Sequence, residues 1–448
     1  MPPSHRPFSP AQLLAVSIAG LILVGTVLLW LPWSAAREPL SLIDALFTAA
    51  SAVCVTGLVV VDTPHDLSLA GQVIVLLLIQ AGGLGYMAIT TVVAVAIGKQ
   101  LTVQERLTLQ EALNAQSMDG LIRFVFAVFK LTLAFELAGA LVLASRWMGE
   151  MGPAPALWFG LFHAVSAFNN AGFALFSDSL MTFRADLVVN LTILTLIVCG
   201  GLGFVVLTDL GRFPRARRLS VHSRLVLTTS AILVVATMVA VCALEWRNRR
   251  TLGDLATGEA VLASFFQAVT PRTAGFNTLD IGALTAPTLF LMMALMFIGA
   301  GPGGTAGGIK VTTFSITVAA LWATVRGAHD TVLFKRRLRP DLVARAFFIS
   351  LIAFLAVNVV AGLLLITEGR TLLPTLFEAV SAAGTVGLST GEAGAPVSLS
   401  GHFSPFGKLL IVVTMYMGRL GPLTLAVAVA RRGTPPPVRY PEGRVLVG

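Results

Sequence analysis

Charge is scarce in this sequence. Only 12% of residues are charged against 56% hydrophobic, with a mean hydropathy of +0.86, whereas soluble domains carry roughly 25% charged residues. That balance excludes a soluble enzyme and describes a chain solvated largely by lipid. Cysteine is nearly absent as well. Cys54, Cys199 and Cys242 show none of the paired spacings of disulfide or metal frameworks, so Cys54 reads as packing or pore lining rather than redox chemistry. Catalytic patterns are missing too. There is no His-Glu-x-x-His, and Gly299-x-Gly301-x-x-Gly304 matches a dinucleotide fingerprint only formally, because no strand precedes it and it lies in an apolar run. Gly303 to Lys310 is not a Walker loop, since Ile309 rather than glycine precedes Lys310. His163 has no second histidine or cysteine at metal spacing and reads as a packed residue. No enzyme, no resident organic cofactor and no nucleic-acid partner is expected.

What is there is apolar length. Runs of about 20 residues, enough to cross the hydrocarbon core, start near Ala11, Gly71, Ile122, Leu187, Leu225, Leu289, Val343 and Gly407. Eight spans follow, with no gap long enough for a separate domain. Ser34-Ala35-Ala36 resembles a signal cleavage site, but the run from Ala11 to Leu31 exceeds a secretory apolar core of roughly 7 to 15 residues, so a retained helix is expected. Trp30, Pro32 and Trp33 mark its interface. The net charge of +9 is ordered by topology: Arg212, Arg215, Arg217, Arg218 and Arg224 follow span four, Arg326, Lys335, Arg336, Arg337 and Arg339 span six, and Arg431, Arg432, Arg439 and Arg444 span eight. Bases collect on the cytoplasmic side, which puts both termini inside. Lys99 to Asp119, with the capping box Thr102-x-x-Glu105, and a tail of residues 431–448 are then cytoplasmic. Arg247, Arg249 and Arg250 follow span five and break the rule.

A repeat organises the chain. Phe-x-Ala-x-Ser/Thr occurs at Phe47 to Ser51, Phe162 to Ser166, Phe266 to Thr270 and Phe377 to Ser381. Gly57, Gly172, Gly275 and Gly387 lie six, six, five and six residues beyond the hydroxyl, separated by 115, 103 and 112 residues. Such spacing means repeated modules, not a solenoid of roughly 20- to 50-residue repeats. Their approximate bounds are 11–98, 121–208, 224–325 and 343–430 in one membrane domain, 1–448. Each lead-in predicts a short re-entrant helix; the first has Leu42, Leu46, Phe47 and Ala50 at helical spacing behind an N-cap Ser41. Non-helical backbone after it survives at membrane depth only if buried in protein or lining a water-filled cavity. The four runs Val55-Thr56-Gly57, Asn170-Ala171-Gly172, Thr273-Ala274-Gly275 and Thr385-Val386-Gly387 are therefore quarters of one filter. Backbone carbonyls there, joined by side-chain oxygens of Thr56, Asn170, Thr273 and Thr385, can replace the hydration shell of a cation. The runs carry no carboxylate, which favours a large, weakly hydrated monovalent ion.

Four further features flank the filter. Span six contains Gly301, Gly303, Gly304, Thr305, Gly307, Gly308 and Lys310 around Pro302. Interior glycine costs about 1 kcal/mol and proline about 3 relative to alanine, so this span breaks, and a broken span marks a transport path. Gly82-Gly83-Leu84-Gly85 and Gly200-Gly201-Leu202-Gly203 recur as Gly418-Arg419-Leu420-Gly421; the glycines serve helix packing or gating. Arg419, read as lying at a helix centre, should face water or a partner. Asp62, Asp178, Asp280 and Glu392 follow the filter glycines by five or six residues and are either solvated loop charges or an outer ring that concentrates cations. Arg272, the base beside a filter, should support it structurally, with Glu378 as a candidate partner.

These motifs together resemble the potassium-translocating subunits of the Trk/Ktr/HKT superfamily over essentially the whole chain. They are Val55-Thr56-Gly57-Leu58, Asn169-Asn170-Ala171-Gly172-Phe173, Arg272-Thr273-Ala274-Gly275-Phe276, Gly384-Thr385-Val386-Gly387-Leu388, the break before Lys310 and Met417-Gly418-Arg419. With eight spans the chain is most similar to the bacterial Ktr-type membrane subunit of the TrkH family. The resemblance implies an all-α fold of four pseudo-symmetric helix-pore-helix modules in the bacterial cytoplasmic membrane, and a homodimer with one pore per protomer. It also implies a cytoplasmic ring of nucleotide-binding, Rossmann-type regulatory subunits, and an intramembrane gate formed by Gly301 to Lys310 with Arg419 nearby. Potassium is the implied cargo, since plant relatives with serine at the position of Gly57 carry sodium. Sodium as a coupling or activating ion, sodium or ammonium permeation, and a non-conducting membrane regulator stay open as alternatives.

Overall fold

The computed structural model describes residues 10–85, 121–392 and 395–421. The end of the first module (86–98), the connection Lys99 to Asp119 with its capping box, the end of the fourth module (422–430), and Arg431, Arg432, Arg439, Arg444 and the tail 431–448 lie outside the described residues.

The chain is mostly helical, and one arrangement recurs four times: a long apolar helix, a short buried helix with an irregular segment after it, and a second apolar helix. The long helices are Pro10–Trp30, Leu121–Met151, Val221–Glu245 and Pro340–Glu368, and these four are long and apolar enough to cross a membrane. Leu23, Val235, Phe354 and Ile366 lie bare on their outer faces, as helices solvated by lipid require. The short helices are Leu42–Val53, Pro153–Phe168, Thr257–Val269 and Leu372–Gly384. Ser41 caps the first, its Oγ accepting from Asp44 N at 3.2 Å, as its sequence predicts. Ser34, beside the cleavage-like Ala35-Ala36, is buried under the body of the protein, and its carbonyl accepts from Ser68 N.

The second apolar helices are Leu69–Leu84, Leu187–Leu202, Ala286–Phe297 and Pro405–Leu420. They stop short of a full crossing because three of them end at a glycine in the left-handed region: Gly85 (φ 80°), Gly203 (φ 94°) and Gly421 (φ 80°). At Gly203 the chain turns by 102° into a further helix. The third stops at Phe297 and resumes at Val311, so the glycine-rich span breaks where its composition predicts. The all-helical expectation misses one small element, an antiparallel hairpin pairing Val332 with Arg337 and Leu333 with Arg336.

Burial explains the lead-in. Phe47, Phe162, Phe266 and Phe377 are all fully enclosed, as are Ala49, Ala164 and Ala379, with Ala268 1% exposed. The residue after each phenylalanine is polar and also buried: Thr48, His163, Gln267 and Glu378. The first glycine of each Gly-x-Leu-Gly motif is a packing contact. A methyl on Gly82, Gly200 or Gly418 would run into Val53 O, Phe168 O or Ala383 O, the carbonyls at the end of the neighbouring short helix. The motif therefore divides its labour: the first glycine admits a helix end and the last breaks the helix.

Gly200→Ala should thus lower stability by about 1–3 kcal/mol, the usual range for overpacking. Gly211→Ala, where nothing lies within 4 Å of the added carbon, should be neutral or stabilising by about 0.5–1 kcal/mol. Thermal unfolding in detergent compares the two, and an unchanged midpoint for Gly200→Ala would contradict the packing role.

Candidate functional site

The segments after the four short helices meet. A Cβ built on Gly57 would lie 3.1 Å from Gly172 Cα, one on Gly172 2.9 Å from Gly275 Cα, one on Gly275 3.4 Å from Gly387 Cα, and one on Gly387 3.0 Å from Gly57 Cα. The contacts close a ring in chain order, in which each glycine faces the next repeat and the last faces the first. No side chain fits at any of the four positions. Their backbones exclude one independently, with φ of 91°, 72°, 80° and 91°. Two residues earlier Val55, Asn170, Thr273 and Thr385 also take positive φ, at 55°, 59°, 67° and 49°, a conformation that costs a non-glycine residue of order 1–3 kcal/mol. Alternation of left-handed and ordinary residues turns successive carbonyls toward the same side of the chain.

Hydrogen bonding pays for that conformation. Thr56 N, Ala171 N and Val386 N donate to the carbonyls of Ser51, Ser166 and Ser381 at 2.8, 2.7 and 2.9 Å, and Ala274 N to Thr270 O at 3.0 Å. The hydroxyl that ends each lead-in completes the tie. Ser51 Oγ and Ser381 Oγ accept from Gly57 N and Gly387 N, both at 3.1 Å, while Ser166 Oγ and Thr270 Oγ1 donate to Phe173 O and Phe276 O. The amides are thus held back toward the short helices. Among the described residues no donor reaches the carbonyls of the three ring residues in any repeat. Thr56, Thr273 and Thr385 carry buried hydroxyls without a partner among the described residues. Asn170 differs: turned to satisfy its nitrogen, its amide donates to Ala167 O and Ile197 O at 3.0 and 3.1 Å. The short helices end at this ring, and a helix C-terminus carries a partial negative charge. Free carbonyls, orphan hydroxyls and four helix C-termini are groups whose chemistry can replace water around a cation.

Below the ring runs the segment 298–310. Gly301 N donates to Gly201 O at 2.7 Å, Thr305 N to Gly200 O at 3.2 Å, and Phe204 N to Gly303 O at 3.1 Å. Thr305 Oγ1 reaches Phe168 O at 3.2 Å. Gly304 packs on Gly203, Gly307 faces the Thr385 hydroxyl, and Gly308 sits against Gly299 with φ 65°. Lys310 Nζ closes back on Ala306 O at 2.6 Å. Arg419 donates to Thr305 O and Gly82 O, and to Gly83 O at 3.5 Å. It stands in the last turn of Pro405–Leu420, not at a helix centre, because the helix breaks at Gly421. There its charge complements the helix end and its fork answers carbonyls that breaks leave unpaired.

Above the ring, a cavity of about 610 Å³ is lined by Gly57, Gly172, Gly275 and Gly387 and by Asp62, Asp178, Asp280 and Glu392. The four acids thus share one space, though each also has local bonds. Asp62 accepts from Ser177 Oγ (2.7 Å), Asp178 from Thr182 N (2.9 Å), and Asp280 from Gly282 N (2.9 Å). Glu392 pairs with Arg370, and that hydrogen-bonded guanidinium holds its carboxyl below the usual carboxylate range. Loops join around the cavity as well: Leu180 N to Asn277 O at 3.0 Å and Ser398 N to Val59 O at 2.8 Å.

Two residues are placed differently from expectation. Arg272 does not meet Glu378; its Nη2 donates to Ser230 Oγ at 2.9 Å, because it leans on its own repeat's long helix. Glu378 instead accepts from Ser389 Oγ (2.6 Å) and Ser400 N (2.8 Å), tying the fourth short helix to the cavity wall. His163 does the same for the second, its Nδ1 2.7 Å from Phe159 O and its Nε2 accepting from Leu175 N at 3.2 Å. These anchors escaped sequence reasoning, although the polar residue after each lead-in phenylalanine was a signal for them. A set of half-buried Gln80 with buried Glu136 and Asn169 was missed too: Asn169 Nδ2 reaches Gln80 Oε1 at 2.8 Å and Glu136 Oε1 at 2.9 Å. Gly387-x-Ser389-x-Gly391 also spells a nucleophile-elbow pattern. No strand leads into it, and Ser389 Oγ is engaged by Glu378, Gly391 N and Leu399 N, so it is a wall contact.

Known proteins resemble this chain over nearly its whole length. The profile of a family described as TrkH, cation transport protein, matches residues 12–434. The chain is 42% identical over 441 residues to the Ktr system potassium uptake protein B of Bacillus subtilis, covering 98% of this chain and 97% of that one. It is 36% identical to the potassium/sodium uptake protein NtpJ of Enterococcus hirae, covering 99% and 98%. Its fold is similar to the crystal structure of the potassium transporter TrkH from Vibrio parahaemolyticus, with a TM-score of 0.75, 20% identity and coverage of 96% of this chain and 86% of that one. The chain belongs to the TrkH family of cation transport proteins.

Proposed function

We propose that this chain carries potassium across the cytoplasmic membrane of a bacterium, through one pore whose filter is assembled from four quarters. The observation that carries the reading is the closed ring Gly57–Gly172–Gly275–Gly387 with its unbonded carbonyls. Carbonyls held from behind can exchange for water around a cation without the backbone collapsing on the empty site. The filter residues are Val55, Thr56, Gly57, Asn170, Ala171, Gly172, Thr273, Ala274, Gly275, Thr385, Val386 and Gly387. Their setting is eight crossings and four re-entrant loops in the modules 11–98, 121–208, 224–325 and 343–430, with both termini cytoplasmic. The names of relatives, Ktr system potassium uptake protein B among them, support potassium as cargo and a companion subunit. The companion is a nucleotide-binding, Rossmann-type cytoplasmic ring acting on a homodimer.

The segment Gly301 to Lys310 is the gate. It lies directly beneath the filter, and its amide bonds to the carbonyls of Gly200 and Gly201 and the bond of the Arg419 guanidinium to Thr305 O are contacts that a small displacement would break together. Gly303, Gly304, Thr305, Gly307 and Gly308 let it run close under the ring. Asp62, Asp178, Asp280 and Glu392 concentrate cations above. Sodium is the second reading, as permeant or coupling ion, because one relative is named a potassium/sodium uptake protein.

Flux of potassium, rubidium, sodium and ammonium into proteoliposomes tests the whole: potassium and rubidium should pass and sodium should pass poorly. Equal flux of sodium would favour the second reading, and no flux of any ion would sink both. Gly57→Ser and Gly387→Ser should each weaken the discrimination of potassium from sodium, by about tenfold if roughly 1.4 kcal/mol of differential coordination is lost. Unchanged permeability ratios in both variants would remove the filter assignment. Shortening 301–308 should raise flux, and a folded deletion that conducts no faster would exclude a gate. Neutralising the four acids together should lower apparent potassium affinity most at low ionic strength; indifference at every ionic strength would exclude the outer ring.

A further inference from the structure

Arg247, Arg249 and Arg250 follow the long helix Val221–Glu245 as a cluster of bases on the side where the charge rule expects few, and the structure gives their loop a foundation. Glu245 ends its helix fully buried. Its carboxylate accepts from Thr285 N (2.9 Å), Thr285 Oγ1 (2.7 Å), Thr251 Oγ1 (2.7 Å) and Asn248 Nδ2 (2.7 Å). Asn248 in turn accepts from Arg250 N at 3.1 Å through its Oδ1. A buried acid therefore fixes the turn that carries the three arginines. Of the three, Arg250 lines the outer cavity, together with the four acids and the four ring glycines. Among the described residues it forms no ion pair, whereas Glu392 on the same cavity is paired with Arg370.

An unpaired cation at the entrance of a cation path looks like an obstruction until ion valence is considered. A potential that raises the local concentration of a monovalent cation n-fold raises that of a divalent cation n²-fold, because the energy scales with ionic charge. Acids alone would therefore favour calcium and magnesium, which would sit over the carbonyl ring without shedding their water. A fixed positive charge acts by the same square law in the opposite sense. We propose that Arg250 is a specificity-determining residue of the outer mouth, where its charge, held over the acidic cavity by the Glu245 anchor, keeps divalent cations from occupying the entrance at small cost to potassium. The proposal rests on the reading of this cavity as the outer end of a potassium path.

Potassium uptake into proteoliposomes at low ionic strength, with calcium or magnesium titrated outside, tests it. A unit charge roughly 10 Å from the ion in water predicts about a twofold lower half-saturating potassium concentration for Arg250→Gln and about fourfold stronger divalent inhibition. Arg250→Glu doubles the charge change, giving about fourfold and about sixteenfold by the same relation. Arg250→Lys should behave as the parent, and all differences should shrink at high salt. Arg250→Cys labelled with positive, neutral or negative thiol reagents repeats the series on one folded protein. Divalent inhibition unchanged across these proteins, with potassium uptake intact, would overturn the role of Arg250. So would equal shifts for monovalent and divalent ions, which a merely structural disturbance would produce. Absence of potassium uptake in the parent protein would instead overturn the conduction reading itself.

Discussion

The structure depends on the closure of four glycines into a ring with no room for a side chain. Every contact in that ring is backbone against backbone from a neighbouring repeat, so the position of each quarter is set by two others. Such a ring has no attractive force of its own. Carbonyls aimed at a common space repel one another, and four strained residues precede the glycines. What holds it is the bonding of each amide back to the short helix behind it, and the enclosure of Phe47, Phe162, Phe266 and Phe377. The lead-in is the anchor for a conformation the filter residues would not adopt by themselves.

The same logic governs the level beneath. Three of the second helices pack against the end of a short helix through the first glycine of the motif and stop at its last, which leaves carbonyls without intrahelical partners. In the third repeat the helix gives way to a segment whose amides serve Gly200 and Gly201. Arg419 serves Gly82, Gly83 and Thr305. An arginine suits this position where a lysine would not, because a planar fork reaches carbonyls from two elements at once. Broken helices, the crossing segment and the arginine are one solution to a single hydrogen-bonding problem.

How much of this the sequence discloses depends on whether the governing interaction is local. The repeats, the N-cap at Ser41 and the break before Lys310 all follow from residues close together in the chain, and they were legible. Arg419 meets partners as expected, but its place along the helix was misjudged because hydropathy shows that a span exists without showing where its helix ends. The Arg272 partner was misjudged because charge complementarity names a carboxylate, while orientation delivers Ser230 of the neighbouring helix. Glu245 fixes the arginine turn through Asn248 and Thr251 and is itself held by threonines about 40 residues away, a contact no periodicity reveals. Glu378 and His163 stood in plain view in the lead-ins, and their meaning waited on the loops they tie.

The fourfold pattern is also less regular than its repeats suggest. In the first and fourth quarters the anchoring hydroxyl accepts from the ring glycine, and the next residue is leucine; in the second and third it donates to the carbonyl of a phenylalanine. The ring is therefore two pairs of like neighbours. The first and fourth quarters are also joined outside it, by Ser398 to Val59 and by the Lys408–Asp44 pair at 2.7 Å. The segment beneath belongs to the third quarter and rests mainly on the second, through Gly200, Gly201 and Phe204. The quarters are thus alike in backbone and unlike in their anchors, and the seam between the ring and the segment beneath falls where Arg419 reaches across from the fourth quarter to the first.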